Sequence, residues 1–172
     1  MSELFSIQLQ NRQQQGRDGV WLDLPTTTEQ VQAALRQIGI SSDNPQGLFI
    51  SGYFAEEEKR FAIPYNMVLA SNVDALNFLA AQLETLSAGE RAELNAALQA
   101  PQSELSSIGK ITDFPENVDY YVHLPDVHGP AQLGDYYLNR SGMVDMPEEW
   151  KGGIDTAQFG RYVAQQEQGV FT

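Results

Sequence analysis

His123 and His128 are the two histidines of the chain, and they are the side chains best suited to acid–base or metal chemistry. They flank Pro125 and Asp126 at a spacing that allows a zinc or acid–base site. A catalytic zinc needs a third protein ligand, and no second histidine-rich segment supplies one. We therefore interpret both as loop residues. A small hydrolase built on them is the weakest alternative, and it predicts that replacing both histidines with alanine destroys activity.

Other catalytic signatures are missing from the sequence. The absence of cysteine excludes disulfides, thiolate zinc sites and cysteine nucleophiles. There is no G-x-S-x-G nucleophile elbow, no Walker A motif and no G-x-G-x-x-G. Glu148 and Glu149 are adjacent, but such a pair is expected by chance among 23 acidic residues. The sequence therefore predicts a protein that is not an enzyme and that has no cofactor and no metal site.

Acidic residues dominate the composition, with 23 acidic against 10 basic residues and a net charge of −13. They are dense in the segment 113–149, where Arg140 is the single basic residue. Because an unpaired buried charge costs several kcal/mol, most of these carboxylates are expected to face water. The predicted negative surface consists of Asp113, Glu116, Asp119, Asp126, Asp135, Asp145, Glu148 and Glu149. The interspersed aromatic residues are expected to supply the apolar body: Phe114, Tyr120, Tyr121, Tyr136, Tyr137 and Trp150.

The net charge also limits the partners. A chain this acidic is repelled by DNA, RNA and anionic lipid and is attracted to basic surfaces. No window approaches the roughly 18 consecutive apolar residues of a membrane helix, and the N-terminus does not resemble a signal peptide. We expect a soluble, cytoplasmic protein that binds a basic partner and neither nucleic acid nor membrane directly.

Periodicity predicts the elements of the first part of the chain. Apolar and polar residues alternate over 4–9, which is typical of a half-buried strand, and residues 20–24 and 48–54 predict two more. A loop is predicted over 10–18. A helix is predicted over 31–38, behind a capping box that begins at Thr26 or Thr27.

The remainder is predicted to be mainly helical. A helical hairpin follows Pro64, with a cap at Ser71 or Asn72 and a capping box at Ser87. Later come a short helical turn near Ile108, a strand over 120–124, a helix over 131–139 and a final helix capped by Asp155 and closed by Gly169. The predicted fold class is α+β with three small domains: a β-β-α-β domain (1–61), a helical domain (62–109) and an acidic α+β domain (110–172).

The adjacent tyrosines have two interpretations. Tyr120 with Tyr121, and Tyr136 with Tyr137, are each expected to place one ring inward and to leave the other free to lie outward. The inward rings bury apolar area, and the outward rings could provide contact area at a protein interface. For the outward member of each pair, both interpretations, burial of apolar area and contact with a partner, stay open.

Three segments resemble a known family. They are LNFLA at 76–80 with Leu83 and Glu84, GDYYL at 134–138, and IDTAQFGRY at 154–162. The last is similar to the Y-I-D-Y-x-A-Y-G-R-D signature of ArdA antirestriction proteins, and GVFT at 169–172 is similar to the family's G-x-F-T continuation. Within the signature, Thr156, Phe159 and Tyr162 stand where the family has Tyr, Tyr and Asp. The resemblance extends over essentially the whole chain.

The resemblance implies an elongated homodimer that mimics DNA and inhibits type I restriction-modification enzymes by occupying their DNA-binding groove. The negative surface would then be extended by Asp23, Asp43, Glu56, Glu57 and Glu58. An alternative of another class is an acidic adaptor that recruits a basic protein through exposed tyrosines. Duplex DNA should displace a partner from a DNA mimic, whereas it need not displace one from an adaptor.

Overall fold

The computed structural model describes residues 3–14, 16–100 and 103–171, apart from the side chain of Tyr120. Three strands, β1 (Phe5–Asn11), β2 (Val20–Leu24) and β3 (Leu48–Phe54), form an antiparallel sheet in the order β2–β1–β3. A register shift interrupts the β1–β3 pairing between Gln8 and Leu9. The Leu24–Pro25 peptide bond that follows β2 is cis.

The alternation along β1 explains how the sheet packs. Ile7 and Leu9 are fully buried on the inner face, while Ser6 and Gln8 lie on the outer face and are partly exposed. All three predicted strands are confirmed, but β1 extends to Asn11, into the predicted loop. The side-chain amide of Asn11 donates to the carbonyl oxygen of Ile38 at 2.9 Å, which lets this buried polar residue continue the strand.

Among the described residues of the first part of the chain, five α-helices accompany the sheet. They are α1 (Thr28–Gln37), α2 (Tyr65–Leu69), α3 (Val73–Glu84), α4 (Ala88–Gln99) and α5 (Ile108–Thr112). Short 3-10 turns lie at Pro45–Gly47, Glu57–Lys59, Phe114–Glu116 and Val118–Tyr120.

The predicted caps are confirmed in position. Thr27 caps α1 by accepting from the backbone N–H of Gln30, and Asn72 caps α3 by accepting from Ala75. At the start of α4 both hydrogen bonds of the capping box between Ser87 and Glu90 are present. Pro101, the predicted end of the helical hairpin, lies outside the described residues.

The inner face of the sheet and the helices share one core. Leu76, Leu79 and Leu83 of α3 are fully buried in the same cluster as Ile7 and Leu9 of β1. Backbone contacts divide the chain into two compact units, one through Tyr121 and the other from Val122. The first unit therefore contains the sheet and α1–α5. The finer division into 1–61, 62–109 and 110–172 remains a prediction.

The second unit is helical in its described residues. It contains α6 (Pro130–Asp135), a π-helical turn over Tyr136–Arg140, α7 (Glu148–Lys151) and α8 (Thr156–Gln166). Asp155 caps α8 as predicted, accepting from the N–H groups of Ala157 at 3.0 Å and Gln158 at 3.1 Å. The N–H of Gly169 donates to the carbonyl oxygen of Ala164, which closes the helix end through Gln168 in the left-handed region.

Two glycines allow α6 and α8 to cross at backbone distance. A Cβ placed on Gly134 would collide with the carbonyl oxygen of Thr156 and lie 3.0 Å from the nitrogen of Gly160. A Cβ on Gly160 would collide with the carbonyl oxygen of Pro130 and lie 2.9 Å from the nitrogen of Gly134. The crossing therefore has no room for a side chain at either position.

The predicted strand over 120–124 is wrong. Val118–Tyr120 forms a 3-10 turn, and the chain then runs without a strand partner into a turn in which the N–H of Val127 donates to Leu124. Val122 is 81% exposed, so the apolar residues of this segment do not form a buried sheet face. The predicted mixed α+β domain over 110–172 consequently has no strand among its described residues, and the helix predicted over 131–139 continues into the π-helical turn.

Candidate partner-binding surface

All carboxylates of the predicted negative surface are exposed. They fall in both units, and the segment 113–149 is divided at the unit boundary. The first unit carries Asp23, Asp43, Glu56, Glu57, Glu58, Asp113, Glu116 and Asp119, and the second carries Asp126, Asp135, Asp145, Glu148 and Glu149.

Short helical turns present the carboxylates at the end of the first unit. Asp113 follows α5, Glu116 ends one 3-10 turn and Asp119 lies within the next. Between them Phe114 is 1% exposed, and its ring lies 5.1 Å from the ring of Tyr121. The buried Phe114 therefore anchors the backbone whose neighbouring acidic side chains reach solvent.

In the second unit the carboxylates lie at helix ends and in connecting loops. Asp135 ends α6, Glu148 and Glu149 begin α7, and Asp126 and Asp145 lie in loops. An anionic side chain in the first turn of a helix is favoured by the partial positive charge of the helix N-terminus. Sequence reasoning placed Asp135 inside the helix predicted over 131–139, whereas in the structure it lies where α6 passes into the π-helical turn.

Ion pairs neutralise a small part of this charge. Lys59 pairs with Glu56 at 3.2 Å and Lys151 pairs with Glu148 at 2.7 Å. Arg140 lies 3.8 Å from Asp135. Within the described part of the chain, the other carboxylates of the predicted surface have no cation within 4.0 Å. Most of the negative charge is therefore available to an external partner.

Sequence reasoning missed Glu3. The N–H of Leu4 donates to the carbonyl oxygen of Leu24, which brings Glu3 beside Asp23 at the end of the sheet. A hydrogen bond with Asp23, and then the charge of Asp23, raise the pKa of Glu3, and Glu56 adds to the effect. The pairing of β1 with β2 is the feature from which sequence reasoning could have predicted that Glu3 lies near Asp23, because their register places the ends of the two strands together.

The tyrosines do not divide as expected. Tyr136 and Tyr137 are both half-buried and their rings meet edge to face at a centroid distance of 5.6 Å. Burial, and then the charge of Glu167, raise the pKa of Tyr137. Tyr121 is half-buried, whereas the side chain of Tyr120 lies outside the described residues.

Trp150 does not contribute the expected apolar body, because it is 65% exposed.

His123 is half-buried and His128 is exposed, and the backbone N–H of His128 donates to Gln132 at 2.7 Å in the loop before α6. Within the described residues, no group of three or more His, Asp or Glu side chains is arranged to hold a metal ion. Among the helices of the described residues, none is long and apolar enough to cross a membrane.

The fold and the surface define a small α+β protein that presents dispersed, largely unpaired carboxylates to solvent. A family model of the antirestriction protein ArdA matches residues 15–172, and the chain therefore belongs to the ArdA antirestriction protein family. This is a family of inhibitors and not of enzymes. Its antirestriction role suggests restriction-modification enzymes as partners. No curated protein gives a significant match to the sequence.

Proposed function

We propose that the protein inhibits a type I restriction-modification enzyme by occupying its DNA-binding groove with the distributed carboxylates described above. The observation that carries the proposal is that every carboxylate of the predicted surface is exposed and that most lack an ion-pair partner among the described residues. Membership of an antirestriction family supports a restriction enzyme as the target. The target's groove must bind DNA phosphates and is therefore expected to be rich in Lys and Arg.

Charge spacing in the first unit is wider than in a nucleic acid. B-DNA carries one negative charge per roughly 1.7 Å of helix axis. Asp113, Glu116 and Asp119 recur at every third position, after α5 and in the two 3-10 turns that follow it. Three residues of a 3-10 helix rise by about 6 Å, which sets the scale of this spacing. The carboxylates of this segment are thus more widely spaced than the charges of DNA. We propose that a homodimer lengthens the charged surface that occupies the groove.

Each carboxylate should contribute little by itself. An exposed ion pair is worth about 0.2 to 1 kcal/mol, which corresponds to a change of about 1.4-fold to fivefold in affinity. A single Asp→Asn change should therefore preserve inhibition. Combined replacement of Asp113, Glu116 and Asp119 by their amides should weaken it by the product of the single effects, and added salt should weaken the wild type.

The test measures DNA cleavage by a purified type I enzyme against inhibitor concentration, with duplex DNA as competitor. A matched control replaces Glu29, Asp18 and Asp74 by their amides; these exposed residues lie outside the predicted surface and give the same change in net charge. Loss of inhibition from one substitution in a folded protein would contradict the distributed surface. Equal loss in the control would mean that only net charge matters, and failure of DNA to compete would favour the acidic adaptor.

A further inference from the structure

The outer face of the sheet carries aromatic side chains that the described residues of the first unit leave exposed. Trp21 on β2 is 50% exposed and Phe54 on β3 is 59% exposed, whereas the inner-face residues of β1 are fully buried. The strand register places Trp21 and Gly52 on either side of Gln8, and it places Phe54 opposite Ser6. We refer to Ser6, Gln8, Trp21, Asp23, Gly52 and Phe54 as the Trp21 face.

Gly52 leaves room for the indole of Trp21 to extend across the sheet. A Cβ at Gly52 would lie 3.1 Å from Cη2 of Trp21 and 3.2 Å from Cβ of Gln8. The ring edge at Cη2 thus lies beside Gly52, and half of the residue's surface stays open to solvent. An aromatic ring fixed on a strand in this way is already ordered for stacking, which lowers the entropy lost when a partner binds.

Negative charge flanks this aromatic surface. Asp23 lies two residues beyond Trp21 on the same side of β2, at a distance of about 7 Å along the strand. The hydroxyl of Ser6 donates to the Asp23 carboxylate at 2.6 Å, which fixes its position, and Glu3 lies close enough to Asp23 to interact with it. Glu56 lies near Glu3 but is paired with Lys59 at 3.2 Å. A cation placed over the indole would therefore find a carboxylate within reach.

The outer side of the same sheet, beyond the Trp21 face, already holds one arginine. Phe49 pairs with Gln10, which places its ring on the outer side of the sheet, and the guanidinium carbon of Arg12 lies 5.2 Å from the centre of that ring. Guanidinium groups are weakly hydrated and planar, so they stack on aromatic rings more readily than the ammonium group of lysine does.

We infer that the Trp21 face binds an arginine side chain of a basic protein partner, with the guanidinium stacked on Trp21 and hydrogen-bonded to Asp23. This contact rests on the proposed function for the identity of the partner, since a DNA-binding groove presents arginines. It adds a selectivity that phosphate mimicry lacks. Dispersed carboxylates attract any cation, whereas the indole distinguishes arginine from lysine.

The test compares two synthetic peptides of the same length and charge, an arginine–glycine repeat and a lysine–glycine repeat, by calorimetric titration of the full chain. The wild type should prefer the arginine peptide by about twofold to fivefold. Trp21→Leu should remove this preference, and Trp21→Tyr should retain part of it. Trp150→Leu is the matched control, because it removes an exposed tryptophan in the second unit and should leave the preference unchanged.

Equal binding of both peptides by the wild type would overturn the inference, as would an undiminished preference in a folded Trp21→Leu variant. If Trp21→Leu instead lowers the mass measured by sedimentation, the face contacts a second copy of the chain and the inference is wrong. Should Trp21→Leu fail to fold, NMR of the wild type decides: upfield shifts of arginine δ-protons support stacking, and unshifted protons refute it. None of these measurements uses a restriction enzyme, so failure of the proposed function would be seen separately, in the cleavage assay.

Discussion

Replacement of Gly134 by alanine tests whether the second unit depends on close backbone contact between α6 and α8. The added methyl group would collide with the carbonyl oxygen of Thr156 and press against the backbone of Gly160. Neither neighbour is a side chain that can rotate away. The two helices must therefore separate, or the backbone of one must bend, before the methyl group can be accommodated.

The size of the effect follows from two opposing contributions. Overpacking costs about 1 to 3 kcal/mol, and we take about 3 because the obstructing atoms are backbone. Alanine recovers about 1 kcal/mol relative to glycine in a helix. The net destabilisation should be about 2 kcal/mol for Gly134→Ala and similarly for Gly160→Ala. In the double variant one separation relieves both collisions while both propensity gains remain, so the loss should be about 1 kcal/mol.

Amide hydrogen exchange over residues 130–166 is the appropriate assay, because it reports opening of the second unit by itself. Gly152→Ala is the matched control: no atom lies within 4 Å of its Cβ position and its backbone is α-helical, so we expect no loss of stability. The reasoning is refuted if Gly134→Ala exchanges no faster than Gly152→Ala. It is also refuted if the double variant loses as much as the two single variants added together.

Three further predictions concern the first unit. Asn77→Ala should lower stability by about 1 to 3 kcal/mol in thermal melts. The substitution removes the side-chain hydrogen bonds to the N–H of Thr26 at 2.7 Å and to its carbonyl oxygen at 3.0 Å. An unchanged melting temperature would contradict this. Ser87→Ala should lose about 1 kcal/mol of stability near pH 7. Hydrogen bonds from Ser87 lower the pKa of Glu90. The Glu90 carboxylate therefore stabilises the fold above pH 4.5, its ordinary pKa, and this stabilisation is lost as the pH falls through the lowered pKa. The stability difference between wild type and Glu90→Gln should accordingly shrink in acid; a constant difference would refute the linkage.

Local patterns were sufficient to predict most elements of the fold. The alternation around Ile7 and the caps at Asn72, Ser87 and Asp155 depend on neighbours within a few residues, and all of them are present. The prediction of a strand over 120–124 was wrong because its β-branched and aromatic residues have strand propensity but find no partner strand among the described residues. Pairing partners are set by the tertiary fold, which a short window of sequence does not contain.

The candidate surface was likewise predictable from the sequence only in part. Exposure of the carboxylates was predictable, because burying an unpaired charge is so costly. The neighbourhood of Glu3 with Asp23 requires the register of β1 on β2, which sequence reasoning did not specify. Trp150 was expected to be buried and Trp21 was not singled out, yet both are exposed, since burial of an aromatic residue depends on which element lies opposite it.

The strand order β2–β1–β3 has a consequence for synthesis on the ribosome. β1 is made first and lies in the middle of the sheet, but its second partner, β3, begins only at Leu48. At about 5 to 20 residues per second, one edge of β1 stays unpaired for a time on the order of seconds. During that interval the backbone N–H and C=O groups along this edge of β1 are open to pairing with other unfinished chains.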